Sequence, residues 1–220
     1  MGERDHLYVI DPLAKRNSLI LYGEAVERRC QHWEGKGEAR GQNNMGPWIE
    51  KMHRISGVGR VDREGLYIPG PWCGVGSTAM CVEAARECGH PVPFVPSRGA
   101  QRFVKNVGKA GQFIVKPRAG FTRYKGELNL ALMEQALAIA WHRHGSWIGA
   151  GHVELLPRYN PITDEMTSWS PNTSPPLSVR NELNERLELN LVRGQAVWHR
   201  RVRTGPQWRK NLSCISTLMG

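Results

Sequence analysis

Pro71-Trp72-Cys73-Gly74-Val75-Gly76-Ser77-Thr78-Ala79 is the stretch on which the reading of this chain turns. A thiol is followed at once by a run of small residues able to open a helix. Exposed N–H groups and the helix dipole favour a negative charge at that position, so the cysteine is set up as a thiolate nucleophile. The spacing predicts that the helix runs to Cys88, because Gly89 suits the position after a helix and Pro91 cannot continue one.

A nucleophilic thiol needs a base. Gly149-Ala150-Gly151-His152-Val153-Glu154-Leu155-Leu156 supplies one, with His152 following a glycine-rich loop and opening an apolar run that reads as a strand. A third polar group should orient the imidazole. Asn172, in Trp169-Ser170-Pro171-Asn172-Thr173, lies near the end of the next strand candidate, which gives a Cys73, His152, Asn172 thiol-hydrolase triad.

The order of these pieces resembles the CHAP family, the cysteine and histidine dependent amidohydrolases/peptidases related to NlpC-type and papain-like hydrolases. The matching segments are Pro71-Trp72-Cys73, Ile139-Ala140-Trp141-His142-Arg143, Gly151-His152-Val153 and Ser170-Pro171-Asn172. Upstream, Gly41-Gln42-Asn43-Asn44-Met45-Gly46-Pro47 is similar to the segment that precedes the cysteine in several such enzymes. The resemblance implies an α+β, papain-like fold in which N-terminal helices, with the nucleophile at a helix N-terminus, pack on an antiparallel sheet. It also implies hydrolysis of an amide bond in the peptidoglycan peptide, by an endopeptidase or an N-acetylmuramoyl-L-alanine amidase; some members of the family bind calcium, but no Asp-x-Asp-x-Asp-Gly loop is present here and no cofactor is expected.

Three departures from the family stand out. Gln135-Ala136 occupies the place of a Gly-Asp turn, Glu154 stands where glycine is usual, and Ser170 replaces a glutamate. In a strand of period two, Glu154 shares a face with His152. It then holds His152 as imidazolium, binds substrate, or faces solvent, and the loss at Ser170 leaves orientation of the base to Asn172. Trp72 walls the thiol, stacks on substrate or packs in the core; Asn44 lines the cleft or forms a turn; Trp141 belongs to the strand beside the base.

A chain of 220 residues suits one buried core, and 40% hydrophobic residues with eight tryptophans argue for a folded protein. The pattern predicts an arm over 1–17 and a single domain over 18–220, with an insertion near 176–194. Within it, helices are expected from Ser18 to His32 and Asn44 to Met52. Strands are expected at Phe113-Ile114-Val115, Leu137 to Trp141, His152 to Leu156, Met166 to Trp169, Ala196 to Val202 and Leu212 to Leu218. Ser178 to Leu187 has helical spacing, and much of Gln101 to Leu132 carries no firm signal.

The five cysteines form no C-x-x-C pair, so zinc-ribbon and dithiol redox chemistry find no support, and Cys81 and Cys88 read as core packing. His142 and His144 share a strand face without a nearby carboxylate, which is weak support for a metal. A net charge of +10 calls for an acidic partner. The absence of a helix-turn-helix, RNP or zinc-finger pattern argues against nucleic acid, while Arg200, Arg201, Arg203, Arg209 and Lys210 offer a basic face for anionic wall polymer. No segment has the apolar length of a membrane span, and Met1 to His6 lacks a signal-peptide pattern. Synthesis in a host cytoplasm and delivery to the wall by lysis or on a virion then fit a bacteriophage endolysin or tail-associated lytic protein, the latter with other tail proteins as partners. The rival expectation is a virion structural or adaptor protein that keeps the fold without turnover.

Overall fold

The computed structural model describes residues 12–39, 42–118, 123–142, 151–175, 195–202 and 206–219. Along the chain run α1 (Pro12–Trp33), α2 (Pro47–Ser56), α3 (Cys73–Glu87), α4 (Ala100–Ala110), β1 (Gln112–Val115) and the short α5 (Leu130–Met133). They are followed by β2 (Ala138–His142), β3 (Gly151–Asn160), β4 (Glu165–Thr173), β5 (Ala196–Val202), α6 (Pro206–Asn211) and β6 (Leu212–Thr217). The expected insertion, including Ser178 to Leu187, and His144 lie outside the described residues.

Six strands form one antiparallel sheet in the order β1-β6-β2-β3-β4-β5. The chain is therefore α+β, as expected. Strands β2 to β5 follow one another as neighbours, and β6 returns to lie between β1 and β2. Both faces of the sheet are covered. Ala138, Ala140, Val153, Leu155 and Cys214 pack into a core with α1, α2, α3 and α4. Ile139, Trp141, Met166, Leu212 and Ile215 alternate with them into a second core containing Leu128, Met133 and Trp208.

The helix of the thiol starts and stops where its residues dictate. Cys73 is the first residue of α3, and Gly89 takes a φ of 69° just beyond its end. Two other boundaries differ from expectation. Helix α1 begins at Pro12, so residues 12–17 extend the helix instead of belonging to an irregular arm; a proline at the first helical position has no N–H to waste and a preset φ. Helix α2 begins at Pro47 for the same reason, and Asn44 belongs to the turn before it, with a φ of 58°. The stretch that lacked a firm signal contains α4, whose Phe103, Val104 and Val107 are buried, followed by β1 at the expected short strand.

The segment after α1 covers the edge of β5. The Gly35 N–H donates to the Val197 carbonyl, the Val197 N–H to the Lys36 carbonyl, and the Glu38 N–H to the Gln195 carbonyl. Glu38 is a tie point that sequence reasoning missed. Its carboxylate accepts hydrogen bonds from the Asn44 N–H at 2.9 Å, the Gln195 N–H at 3.2 Å and the Trp72 indole N–H at 3.4 Å. It thus anchors the residue that precedes the nucleophile.

Candidate active site

Helix α3 packs across β3 and β4, and its N-terminus meets β3 at that strand's first residue. The Cys73 sulfur lies 4.0 Å from the carbonyl oxygen of Gly151, one peptide unit from His152. Two glycines permit this approach. A Cβ on Gly74 would sit 2.1 Å from the Arg98 carbonyl oxygen, and one on Gly151 would sit 2.6 Å from the Trp141 carbonyl oxygen. The first intrahelical bond runs from the Gly76 N–H to the Trp72 carbonyl, which leaves the N–H groups of Cys73, Gly74 and Val75 ahead of the helical ladder.

His152 and Glu154 sit opposite Trp141 and Ile139 in the β2–β3 register, so all four share the face of the sheet that the second core covers, whereas Cys73 and α3 pack on the other face with Val153 and Leu155; the fold brings the sulfur to Gly151 and sets the His152 ring on the opposite side of the strand. His152 is buried, and its Nε2 lies 2.7 Å from the Ser170 hydroxyl and 3.6 Å from Glu154 Oε1. The Ser168 hydroxyl donates to the other oxygen of Glu154. Glu154 does not face solvent: it is only 1% exposed, so that reading of its period-two position is corrected. The reason is the second core, which covers the face that would otherwise meet water. Ser170, expected to leave orientation of the base to Asn172, is itself a direct partner of the imidazole.

Asn172 is in β4, near the strand's end. It adopts a left-handed φ of 59°, at an irregularity in the β4–β5 register between Ser170 and Thr173. Its buried Oδ1 has no hydrogen-bond partner among the described residues. The polar atoms recorded beside the imidazole Nε2 are those of Ser170 and Glu154. Trp72 is wholly buried, with Gly76 packed on its ring, so it supports the nucleophile from beneath and has no face open for stacking on substrate. Asn44 is held in its turn by Glu38 and does not line the Cys73 cavity, so of its two readings the turn applies. Trp141 is buried as the cross-strand neighbour of His152.

A cavity of about 340 Å³ opens beside the sulfur. It is lined by Cys73, Gly70, Gly151 and three groups that carried no signal in the sequence: His53, Arg60 and Arg98. His53 is 6% exposed, stacks on Tyr67 at a centroid distance of 4.9 Å, and has its pKa lowered by burial. The unfolded chain therefore binds a proton here that the folded chain resists. The stabilisation present at neutral pH is lost as pH falls below the ordinary imidazole value of about 6.5. Thermal melts between pH 7 and 5 should show this decline, and His53→Phe should flatten it; an equal slope in both proteins would remove His53 from the account.

The remaining cysteines are poor nucleophiles. Burial raises the thiol pKa of Cys81 to about 12, of Cys214 to about 11, and of Cys30 well above its usual value. Cys88 is half-buried. Iodoacetamide at pH 7 should modify Cys73 first, Cys88 more slowly, and the other three only on unfolding, as read by peptide mass spectrometry over time. Labelling of Cys88 ahead of Cys73 would contradict an activated thiol.

Among the described residues, no cluster of three or more His, Cys, Asp or Glu side chains is arranged to hold a metal, and no helix is long and apolar enough to cross a membrane. The expected basic face is partly used within the fold. Arg209 lies 4.3 Å over the Trp208 ring, donates to the Gly126 carbonyl at 3.0 Å and pairs with Asp164 at 3.4 Å. Lys210 is exposed, Arg203 lies outside the described residues, and so do the side chains of Arg200 and Arg201. No family model, curated protein or solved structure matches this chain.

Proposed function

We propose that this chain is a CHAP-type, papain-like cysteine hydrolase that cleaves an amide bond in the peptide of bacterial peptidoglycan, acting as a phage endolysin or tail-associated lysin. The observation that carries the reading is the approach of the Cys73 sulfur, at the N-terminus of α3, to the Gly151 carbonyl at the start of the strand that bears His152. The motif order around these residues supplies the peptidoglycan assignment.

In this mechanism the His152 ring, which rests against the Ser170 oxygen on the face of the sheet away from α3, turns past Gly151 to take the thiol proton of Cys73. The Cys73 thiolate attacks the scissile carbonyl, and N–H groups at the start of α3 stabilise the oxyanion. The imidazolium returns its proton to the leaving amine. Water then hydrolyses the thioester, with His152 as base, and restores the thiol. The Glu154 carboxylate stabilises the imidazolium formed in both halves and, with Ser170, fixes the tautomer.

The test is digestion of purified peptidoglycan by wild type and Cys73→Ala, with mass spectrometry of the soluble fragments. Wild type should create new amine and carboxyl termini at one class of amide bond, and the variant should create none. An intact wall after treatment with protein whose Cys73 is readily alkylated would instead favour the virion adaptor.

A further inference from the structure

We infer that the cavity beside Cys73 is a carboxylate-binding subsite, and that the favoured substrate carries a free carboxylate on the residue adjoining the scissile amide. The inference rests on the hydrolase reading for the identity of the reaction, but its geometric basis is separate. Arg60 comes from the loop between α2 and α3, and Arg98 from the loop between α3 and α4; both line the chamber that contains the sulfur. No acidic residue lies among the described residues that line it. Neither arginine has a carboxylate partner among the described residues, so both retain their charge for a ligand.

The backbone carrying each arginine is held in place. The Arg60 carbonyl accepts the Ile68 N–H at 2.9 Å, and the intervening turn is closed by Asp62, which accepts the N–H groups of Glu64 and Leu66. Arg98 follows Ser97, whose carbonyl accepts the Thr78 hydroxyl of α3 at 2.9 Å, and the close approach of Gly74 fixes its own carbonyl beside the nucleophile's neighbour. Two guanidinium groups on anchored loops suit a planar carboxylate, which accepts paired hydrogen bonds in the guanidinium plane. His53 adds a buried imidazole to the wall, with Nδ1 lacking a hydrogen-bond partner among the described residues. The apolar remainder, including Ile68, Pro69, Pro71 and Val75, suits the carbon skeleton of an amino acid. A peptide residue with a free carboxylate fits this chemistry better than an uncharged one.

Two reagents of nearly equal size separate recognition from reactivity. Iodoacetate and iodoacetamide both alkylate the Cys73 thiolate, so the ratio of their rates cancels the thiolate fraction and reports the charge preference of the chamber. The ratio should fall about tenfold in Arg60→Gln/Arg98→Gln, the change expected when charge-assisted hydrogen bonds are lost. Both side chains are exposed, so the variant should keep its near-UV circular dichroism and melting temperature. In Cys73→Ala protein, which needs no reactive thiol, calorimetric titration should show tighter binding of N-acetylglutamate than of its uncharged diamide, with the difference lost when both arginines are replaced. An unchanged alkylation ratio together with equal binding of the two compounds would overturn the subsite. If peptidoglycan is cleaved equally well with a carboxylate or a carboxamide beside the scissile bond, the subsite falls and the hydrolase stands. If the carboxylate preference is found but the wall stays intact, the subsite stands and the hydrolase reading falls.

Discussion

Cys73→Ala and His152→Ala should each lower the rate of amide hydrolysis on the order of 10⁴-fold or more, and the double variant should be no slower than either alone. The two groups act as one unit: without the base the thiol is attacked by no proton acceptor, and without the thiol the base has nothing to activate. Their effects on the barrier therefore do not add. Cys73→Ser should be nearly as inactive, since a hydroxyl gives up its proton far less readily than a thiol. Cys73 is buried in the first core, so the melt of the alanine variant has to be compared with that of wild type. His152→Ala leaves a void beside the buried Glu154 carboxylate, so its melt has to be compared with wild type at the assay temperature. Single-turnover assays on a defined muropeptide would check the prediction, and more than about a tenth of wild-type rate in either variant would contradict the shared role.

Legibility varied along the chain for physical reasons. The start of α3 could be read because Pro71 and a small-residue run mark an entry into a helix and Gly89 marks its exit, all through local backbone preferences. Strands β3 and β4 could be read from apolar runs flanked by turn residues, but such runs do not say which face water reaches. In many antiparallel sheets one face is solvated, and the polar set His152, Glu154, Ser168 and Ser170 fits such a face. Here Leu128, Met133 and Trp208 build a second core over that side, so the same residues become buried and must satisfy one another. The role of Ser170 was hidden for this reason. Arg60 and Arg98 were illegible because they come from separate loops on either side of α3, and only the packing of both loops around the helix N-terminus brings them to one chamber.

Glu154→Gln should reduce turnover by about 10² to 10⁴-fold, whereas Asn172→Ala should change it by less than about tenfold. Glutamine retains the length of the side chain and its hydrogen-bonding capacity toward Ser168, but loses the charge that stabilises imidazolium 3.6 Å away. Asn172, with Oδ1 unpartnered among the described residues, has no comparable contact to lose. The Leu155–Trp169 pair places Glu154 and Ser170 next to each other across β3 and β4, so a carboxylate at position 154 occupies the imidazole's surroundings from the neighbouring strand. The expected family pattern, with glycine at 154 and glutamate at 170, is then an alternative placement of the same charge. Glu154→Gly should be crippled, and adding Ser170→Glu should restore at least about tenfold of the lost rate by returning a carboxylate to the imidazole. The rescue should appear in the pH–rate profile as recovery of the limb assigned to His152. A double variant as inactive as Glu154→Gly, yet equally well folded by circular dichroism, would show that this carboxylate serves packing rather than the base.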